Sequence, residues 1–156
     1  MHLIEFVLRD LMAIERHAHP ATLVVIDDVF PAHPAQAARE RRTGIWMGDV
    51  WKIAHAIRAH RPELHVMTVD VAPGGLMLIG GLDPTNEALR RAYNPIARTL
   101  QVEADPPGAV IEREGSVARD DPRIARMGRI LARARETGAP PRAVQRMLRE
   151  ALGAKA

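Results

Sequence analysis

The chain has 156 residues, of which 47% are hydrophobic and 3% aromatic, so it can form one core built from aliphatic side chains. It contains no cysteine, which excludes disulfides and thiolate ligands, and no apolar run approaches the roughly 20 residues of a membrane span. The net charge of +3 comes with no nucleic-acid motif, and the first residues do not resemble a secretory signal; a cytoplasmic protein that binds neither nucleic acid nor membranes is expected.

The first elements predicted are a helix and a strand. Apolar side chains recur at helical spacing over residues 3–17, although no N-cap residue precedes them. Residues 22–26 form a continuous run rich in β-branched side chains, which is typical of a strand buried on both faces of a parallel sheet. Two adjacent acids, Asp27 and Asp28, follow this strand directly.

A long loop and a second helix come next. Residues 29–47 contain two prolines and a charged cluster and are predicted to be a loop, with a short helix over part of 34–42. An amphipathic pattern over 49–60 predicts the second helix, for which Asp49 is the expected N-cap.

Two strands are predicted over 64–71 and 76–82. The four residues that link them are too few for a parallel crossover, so these strands are expected to be antiparallel neighbours. The resulting order of helix, strand, helix, strand, strand favours an α/β fold. Three strands make a thin sheet, and further strands are expected upstream.

The rest of the chain, 85–156, is expected to be a mostly helical tail, distinct from a sheet-forming segment over 1–84. A helix broken by Pro95 is predicted over 84–100, followed by an irregular segment over 101–120. Asp121 and the proline after it predict the start of another helix, and a short basic helix is expected over 141–152. These last helices are expected either to form a dimerisation arm or to cover the core.

The paired acids are the first candidate site. Ligands of open α/β sheets bind outside the carboxyl ends of the strands, where Asp27 and Asp28 are expected. A hard divalent cation prefers oxygen ligands and would relieve the repulsion between two adjacent carboxylates. The alternative is that one acid caps the loop and the other faces solvent.

Four stretches of the first 84 residues carry a resemblance to a known family: MHLIEFVLRDL, LVVIDDVFP, ARERRTGIWMGDVWK and LMLIGGLDP. They resemble the C-terminal half of class I S-adenosylmethionine-dependent methyltransferases, in a bacterial branch similar to sugar and macrolide O-methyltransferases. The resemblance implies part of a Rossmann-like sheet whose last strands are antiparallel. It also implies S-adenosylmethionine as the cofactor and a small-molecule hydroxyl as the acceptor.

Residue roles follow from the same resemblance. Asp27 and Asp28 match an acidic pair that holds a divalent cation, such as Mg²⁺, in metal-dependent relatives. His2 matches the position of the proposed general base, and a histidine can accept a proton near neutral pH. The alternative for His2 is a frayed terminal residue in water.

The chain also departs from the family. The glycine-rich cofactor turn, the acidic residue that binds the ribose and one of three metal ligands are absent from the 156 residues. Neither Gly74-Gly75 nor Gly80-Gly81 opens a helix after a strand, so neither replaces that turn. The chain alone is therefore expected not to bind S-adenosylmethionine in the family manner. The alternative function is a shortened, non-catalytic module that forms a homodimer, or binds a complementing N-terminal half, through an open sheet edge.

Further residues have weaker signals. Arg41, with its neighbours Arg39 and Arg42, is predicted either to close over an anionic substrate or the cofactor carboxylate, or to lie in solvent. Trp46 is a candidate for lining the acceptor pocket, whereas Trp51 is expected in the core or an interface. The other histidines lack metal-ligand spacing and are expected at the surface: His17, His19, His33, His55, His60 and His65.

Overall fold

The computed structural model describes residues 2–153, which form an α/β fold around one four-stranded mixed sheet. The strands in this part of the chain are β1 Val24–Asp27, β2 His65–Asp70, β3 Leu76–Gly80 and β4 Val117–Ala118. The helices are α1 Ile4–His17, α2 Pro34–Ala37, α3 Ile53–His60, α4 Ala88–Leu100, α5 Gly108–Ile111, α6 Pro122–Glu136 and α7 Pro141–Leu152. None of these helices is long and apolar enough to cross a membrane.

The strands lie in the order β1-β3-β2-β4. Strand β3 is antiparallel to both β1 and β2, which confirms the predicted antiparallel pair. Since both neighbours of β3 run opposite to it, β1 and β2 run in the same direction, and β4 is parallel to β2. The carboxyl ends of β1 and β2 therefore lie at one edge of the sheet, where ligands of α/β proteins bind.

The prediction that the first strand is buried on both faces of a parallel sheet is wrong. Strand β1 lies at the edge of the sheet and pairs only with β3, in antiparallel orientation. Its residues alternate, with Val24 buried and Val25 52% exposed. The first core cluster described below includes Val24. Val25 lies on the opposite face of β1 and belongs to neither core cluster.

Two apolar clusters cover the two faces of the sheet. One packs α1, α3 and α4 against alternate residues of the strands, namely Val24, Val66, Met77 and Ile79. The other packs α6 and α7 against the residues between them, namely Met67, Val69, Leu78 and Val117. Residues on both sides of position 84 thus share each core, and the division of the chain at that position stays a prediction. The last two helices, α6 and α7, cover the core, which was one of the two roles expected for them.

Helix α1 is capped by a residue that is distant in sequence, which is why no N-cap residue precedes it. The side chain of Asp49 accepts a hydrogen bond from the backbone N–H of Ile4 at 2.7 Å, across 45 residues. Asp49 makes no capping bond to the helix that follows it, which begins as a 3-10 turn over Val50–Lys52. The expectation that Asp49 caps its own helix is therefore wrong, because its carboxylate is used by another helix terminus.

In the second half of the chain, two predictions need correction and one is confirmed. Pro95 lies inside an unbroken α4 rather than breaking it. The segment over 101–120 is not wholly irregular, because β4 joins the sheet there through Val117 and Ala118. Asp121 caps α6 as expected, with its carboxylate accepting from the N–H of Arg123 at 2.8 Å.

A buried ion pair connects α1 to the end of α3. Arg61 has no exposed surface; its Nη1 donates to Glu15 and its Nε to Glu63, the latter at 2.6 Å. Glu15 also accepts from the N–H of Asp83 at 3.2 Å. Near this pair, His65 is 8% exposed, so its predicted place at the surface is wrong: it is the first residue of a central strand.

Candidate functional site

The structure brings His2, Asp28 and Trp46 together at the carboxyl end of β1. Nε2 of His2 lies 3.2 Å from Oδ2 of Asp28, a distance that makes an ion pair when the imidazole is protonated. The rings of His2 and Trp46 are 5.0 Å apart and nearly perpendicular, an edge-to-face arrangement. The side chain of His2 is 42% exposed, so the imidazole is fixed on one side and open to solvent on the other.

Asp28 occupies an unusual backbone and electrostatic position. Its φ of 62° lies in the left-handed region, which aspartate tolerates better than most residues. Burial raises the pKa of Asp28, and the neighbouring charge of Asp27 raises it further, whereas His2 lowers it. A carboxylate that is partly desolvated beside a like charge is stabilised by a positive charge, and the side chain in contact with Asp28 is the imidazole of His2.

Asp27 has a different environment. It is exposed, and its Oδ1 accepts a hydrogen bond from the backbone N–H of Asp28 at 2.8 Å. This bond stabilises the turn at the end of β1, as in the alternative that one acid caps the loop. The two carboxylates therefore differ, because Asp27 binds the local backbone and Asp28 contacts His2.

The backbone of His2 is held by the segment before α3. Its carbonyl accepts a hydrogen bond from the N–H of Asp49 at 3.1 Å, while the Asp49 side chain binds the N–H of Ile4. Gly48, at φ 57°, allows this approach, because a Cβ there would overlap the His2 carbonyl. His2 is thus an anchored residue, and the expectation of a frayed terminal residue is wrong.

The 29–47 loop closes on itself beside His2. The carbonyl of Gln36 accepts from the N–H groups of Met47 and Gly48 at 2.9 and 3.0 Å. The indole Nε1 of Trp46 donates to the carbonyl of Ala38 at 2.6 Å, which fixes the ring that contacts His2. These bonds place Trp46 at the site through the loop's own backbone.

A glycine turn between β2 and β3 forms the other side of Asp28. A Cβ on Gly74 would lie 2.6 Å from Oδ1 and 2.8 Å from Cα of Asp28. The carbonyl of Gly74 accepts from the N–H of Phe30 at 2.6 Å, which joins this turn to the start of the loop. Only glycine fits here. The sequence does not indicate this role of Gly74, because its neighbour Asp28 lies 46 positions away and no local pattern connects them.

The arginines of the loop have distinct partners. Arg39 donates to Glu5 at 2.7 Å and to Asp49 at 2.6 Å, so it joins the loop to α1 and is not free to close over a substrate. Arg41 is exposed and donates to the carbonyls of Thr43 and Gly44 in its own loop. Among the residues described, Arg41 has no contact with His2, Asp28 or Trp46, and its role in substrate binding stays a prediction.

The residues fit a divalent cation only in part. Within residues 2–153, no group of three or more His, Asp or Glu side chains is placed to hold a metal ion. His2 and Asp28 are in contact, but Asp27 does not complete a three-ligand set with them. These two acids as metal ligands therefore stay a prediction.

The arrangement is suited to proton transfer. A carboxylate that contacts one ring nitrogen of a histidine orients the imidazole and stabilises its protonated form. Since Nε2 of His2 faces Asp28, Nδ1 is the nitrogen left to accept a proton from a bound hydroxyl. The fold and the site thus define an α/β protein with a His–Asp pair at the carboxyl edge of a mixed sheet. No protein-family model, curated protein or solved structure matches the chain.

Proposed function

We propose that this chain carries the acceptor-side half of an S-adenosylmethionine-dependent O-methyltransferase, with His2 as the general base. The observation that carries the proposal is the 3.2 Å contact between His2 and Asp28 at the carboxyl end of β1. The mixed sheet, with its last long strand antiparallel to its neighbours, agrees with the partial Rossmann-like sheet that the sequence resemblance implies.

The residues of this chain would act on the acceptor. His2 Nδ1 takes the proton of the acceptor hydroxyl as its oxygen becomes nucleophilic, and Asp28 stabilises the imidazolium that forms. Trp46, packed on the His2 ring, offers an apolar surface for the acceptor. S-adenosylmethionine would supply the electrophilic methyl group. The glycine-rich turn that the family uses to hold this cofactor is not found in the sequence, so the proposal assigns cofactor binding to another segment or another chain.

The test uses the protein as it occurs in its own cell. A C-terminal affinity tag retrieves the chain with any further segment or partner, whose presence is read from the intact mass. Methyl transfer from labelled S-adenosylmethionine is then measured on phenolic and sugar hydroxyls. We expect His2→Gln to lower the rate by about 100-fold or more, the usual contribution of a general base.

The matched control is His17→Gln, which changes an exposed histidine of α1. We expect this variant to retain the wild-type rate. Wild-type protein without activity on any hydroxyl, or a His2→Gln variant as active as wild type, would contradict the proposal. Addition of a chelator to the same assay tests the divalent cation separately.

A specific observation favours the second candidate, a module that pairs with another chain. Strand β1 has no neighbour on its outer side among residues 2–153, and Leu23 and Val25 are 41% and 52% exposed there. An exposed apolar edge strand favours pairing with a further strand. A retrieved protein with twice the mass of the chain and no methyl transfer would support this candidate over the enzyme.

A further inference from the structure

A cavity of about 520 Å³ lies along the outer side of β2. Neither His2, Asp28 nor Trp46 lines it. Its walls come from α3, from β2, from the segment before β4 and from the end of α7. The volume falls within the range of about 300–1,000 Å³ that is usual for small-molecule sites.

The sheet topology explains why this space is unfilled. Strand β4 pairs with β2 only at Val69 and Asp70. Residues 65–68 of β2 therefore have no neighbouring strand on that side within the described part of the chain. The cavity thus lies beside a stretch of β2 that the two-residue edge strand does not cover.

The deeper wall is apolar and aromatic. It includes Trp51, Met77 and Val110. Trp51 is only 5% exposed, and its indole Nε1 has no hydrogen-bond acceptor among residues 2–153. These residues favour a flat apolar ligand.

Two arginines and one glutamate lie at the rim of the cavity. Arg58 is exposed and forms no ion pair with a described residue, whereas Arg123 is paired with Asp121 at 2.7 Å. Glu114 is the one carboxylate among the described residues that line the cavity. His55 packs edge-on against Trp51, and its pKa is lowered by burial and then by the charges of Arg58 and Lys52. The unpaired guanidinium of Arg58 thus favours an anionic group.

We propose that this cavity binds a planar aromatic anion of the aryl carboxylate class. The ring packs against Trp51 and the apolar wall, and the carboxylate lies at Arg58. Neither His2 nor Asp28 lines the cavity, so the proposed binding site does not depend on the proposal of methyl transfer.

The test compares 4-iodobenzoate with its uncharged amide by isothermal titration calorimetry. We expect the wild-type chain to bind the carboxylate about tenfold more tightly than the amide, as is usual for a hydrogen bond to a charged group. Arg58→Gln should remove this preference, and Arg16→Gln, an exposed arginine on α1, should leave it unchanged. Equal affinity for the two compounds in the wild type would overturn the anion part of the proposal.

Two further measurements locate the site. Ala54 lines the cavity, so Ala54→Leu should weaken both compounds at least tenfold, whereas Ala59→Leu, exposed on the same helix, should not. In Trp46→Phe protein, Trp51 is the sole tryptophan, and the iodine of the bound probe should quench its emission saturably. Wild-type affinity in Ala54→Leu, or binding without quenching of Trp51, would overturn the assignment of this cavity.

Discussion

Replacing Asp49 with alanine is expected to lower the free energy of unfolding by about 3–5 kcal/mol, the usual effect of breaking a buried ion pair. Asp49 is 1% exposed, and its carboxylate binds Arg39 at 2.6 Å and Lys52 at 3.1 Å. The substitution leaves the Lys52 ammonium buried without its counter-charge. It also removes the cap of α1, since the same carboxylate binds the N–H of Ile4.

Urea unfolding followed by circular dichroism measures this effect. Asp49→Asn keeps an oxygen for the N–H of Ile4 but loses the charge, so we expect an intermediate loss. Asp10→Ala changes an exposed aspartate of α1 and should shift the free energy by no more than about 0.5 kcal/mol. If Asp49→Ala proved as stable as Asp10→Ala, Asp49 would not be the structural link between α1 and the loop.

Replacing Glu15 with alanine is expected to have an effect of similar size, about 3–5 kcal/mol. The guanidinium of Arg61 has no exposed surface, and its Nη2 already lacks a partner among residues 2–153. Without Glu15, the Nη1 group and the N–H of Asp83 lose their acceptors as well. Of the carboxylates in the described part of the chain, Glu63 alone then remains bound to Arg61.

A double variant separates loss of the pair from loss of one partner. Replacing both residues, as Glu15→Leu with Arg61→Met, should restore most of the stability lost in Glu15→Ala, because apolar side chains of similar size need no counter-charge. Glu136→Ala, at the exposed end of α6, serves as the control and should change little. A double variant no more stable than Glu15→Ala would show that the pair contributes more than mutual neutralisation.

Local sequence patterns predict an element well when its side-chain spacing, its cap residue or the length of its turn lies within the element or next to it. The helical span of α1, the Asp121 cap of α6 and the short link between β2 and β3 agree with the predictions, whereas Ile14, expected on the buried face of α1, is 42% exposed. Each rests on side-chain spacing or turn length, which operate over a few residues.

The predictions that failed depend on distant parts of the chain. The sequence of β1 shows an apolar run but not how many neighbours the strand has, and that number decides the exposure of Val25. Asp49 stands where an N-cap of its own helix is expected, yet its partner is Ile4. Two residues are too few to give β4 a pattern of its own.

The candidate site shows the same division. The acids after β1 were identified from their place at the end of a strand, and His2 was identified from the family resemblance. Their contact at 3.2 Å depends on the anchoring of His2 by Gly48 and Asp49, which no local pattern indicates. Gly74 likewise becomes part of the site only because the turn it forms packs against Asp28.

The raised pKa of Asp28 has a consequence for stability. A carboxyl group whose pKa is higher in the folded than in the unfolded state opposes folding once it is ionised. Its contribution is favourable below the unfolded pKa, near 3.9, and is lost as the pH rises through the folded value. Asp28→Asn should therefore gain stability relative to wild type as the pH increases through this window.

Titration of the Asp28 side-chain carboxyl by carbon-13 NMR tests most directly whether His2 and Asp28 form one electrostatic unit. The account predicts a midpoint above the ordinary range of an exposed aspartate. Asp27→Asn, which keeps the oxygen bound to the Asp28 N–H, should lower the pKa of Asp28, and His2→Gln should raise it. A midpoint that His2→Gln leaves unchanged would mean that His2 and Asp28 are not coupled, and would contradict the proposed acid–base pair.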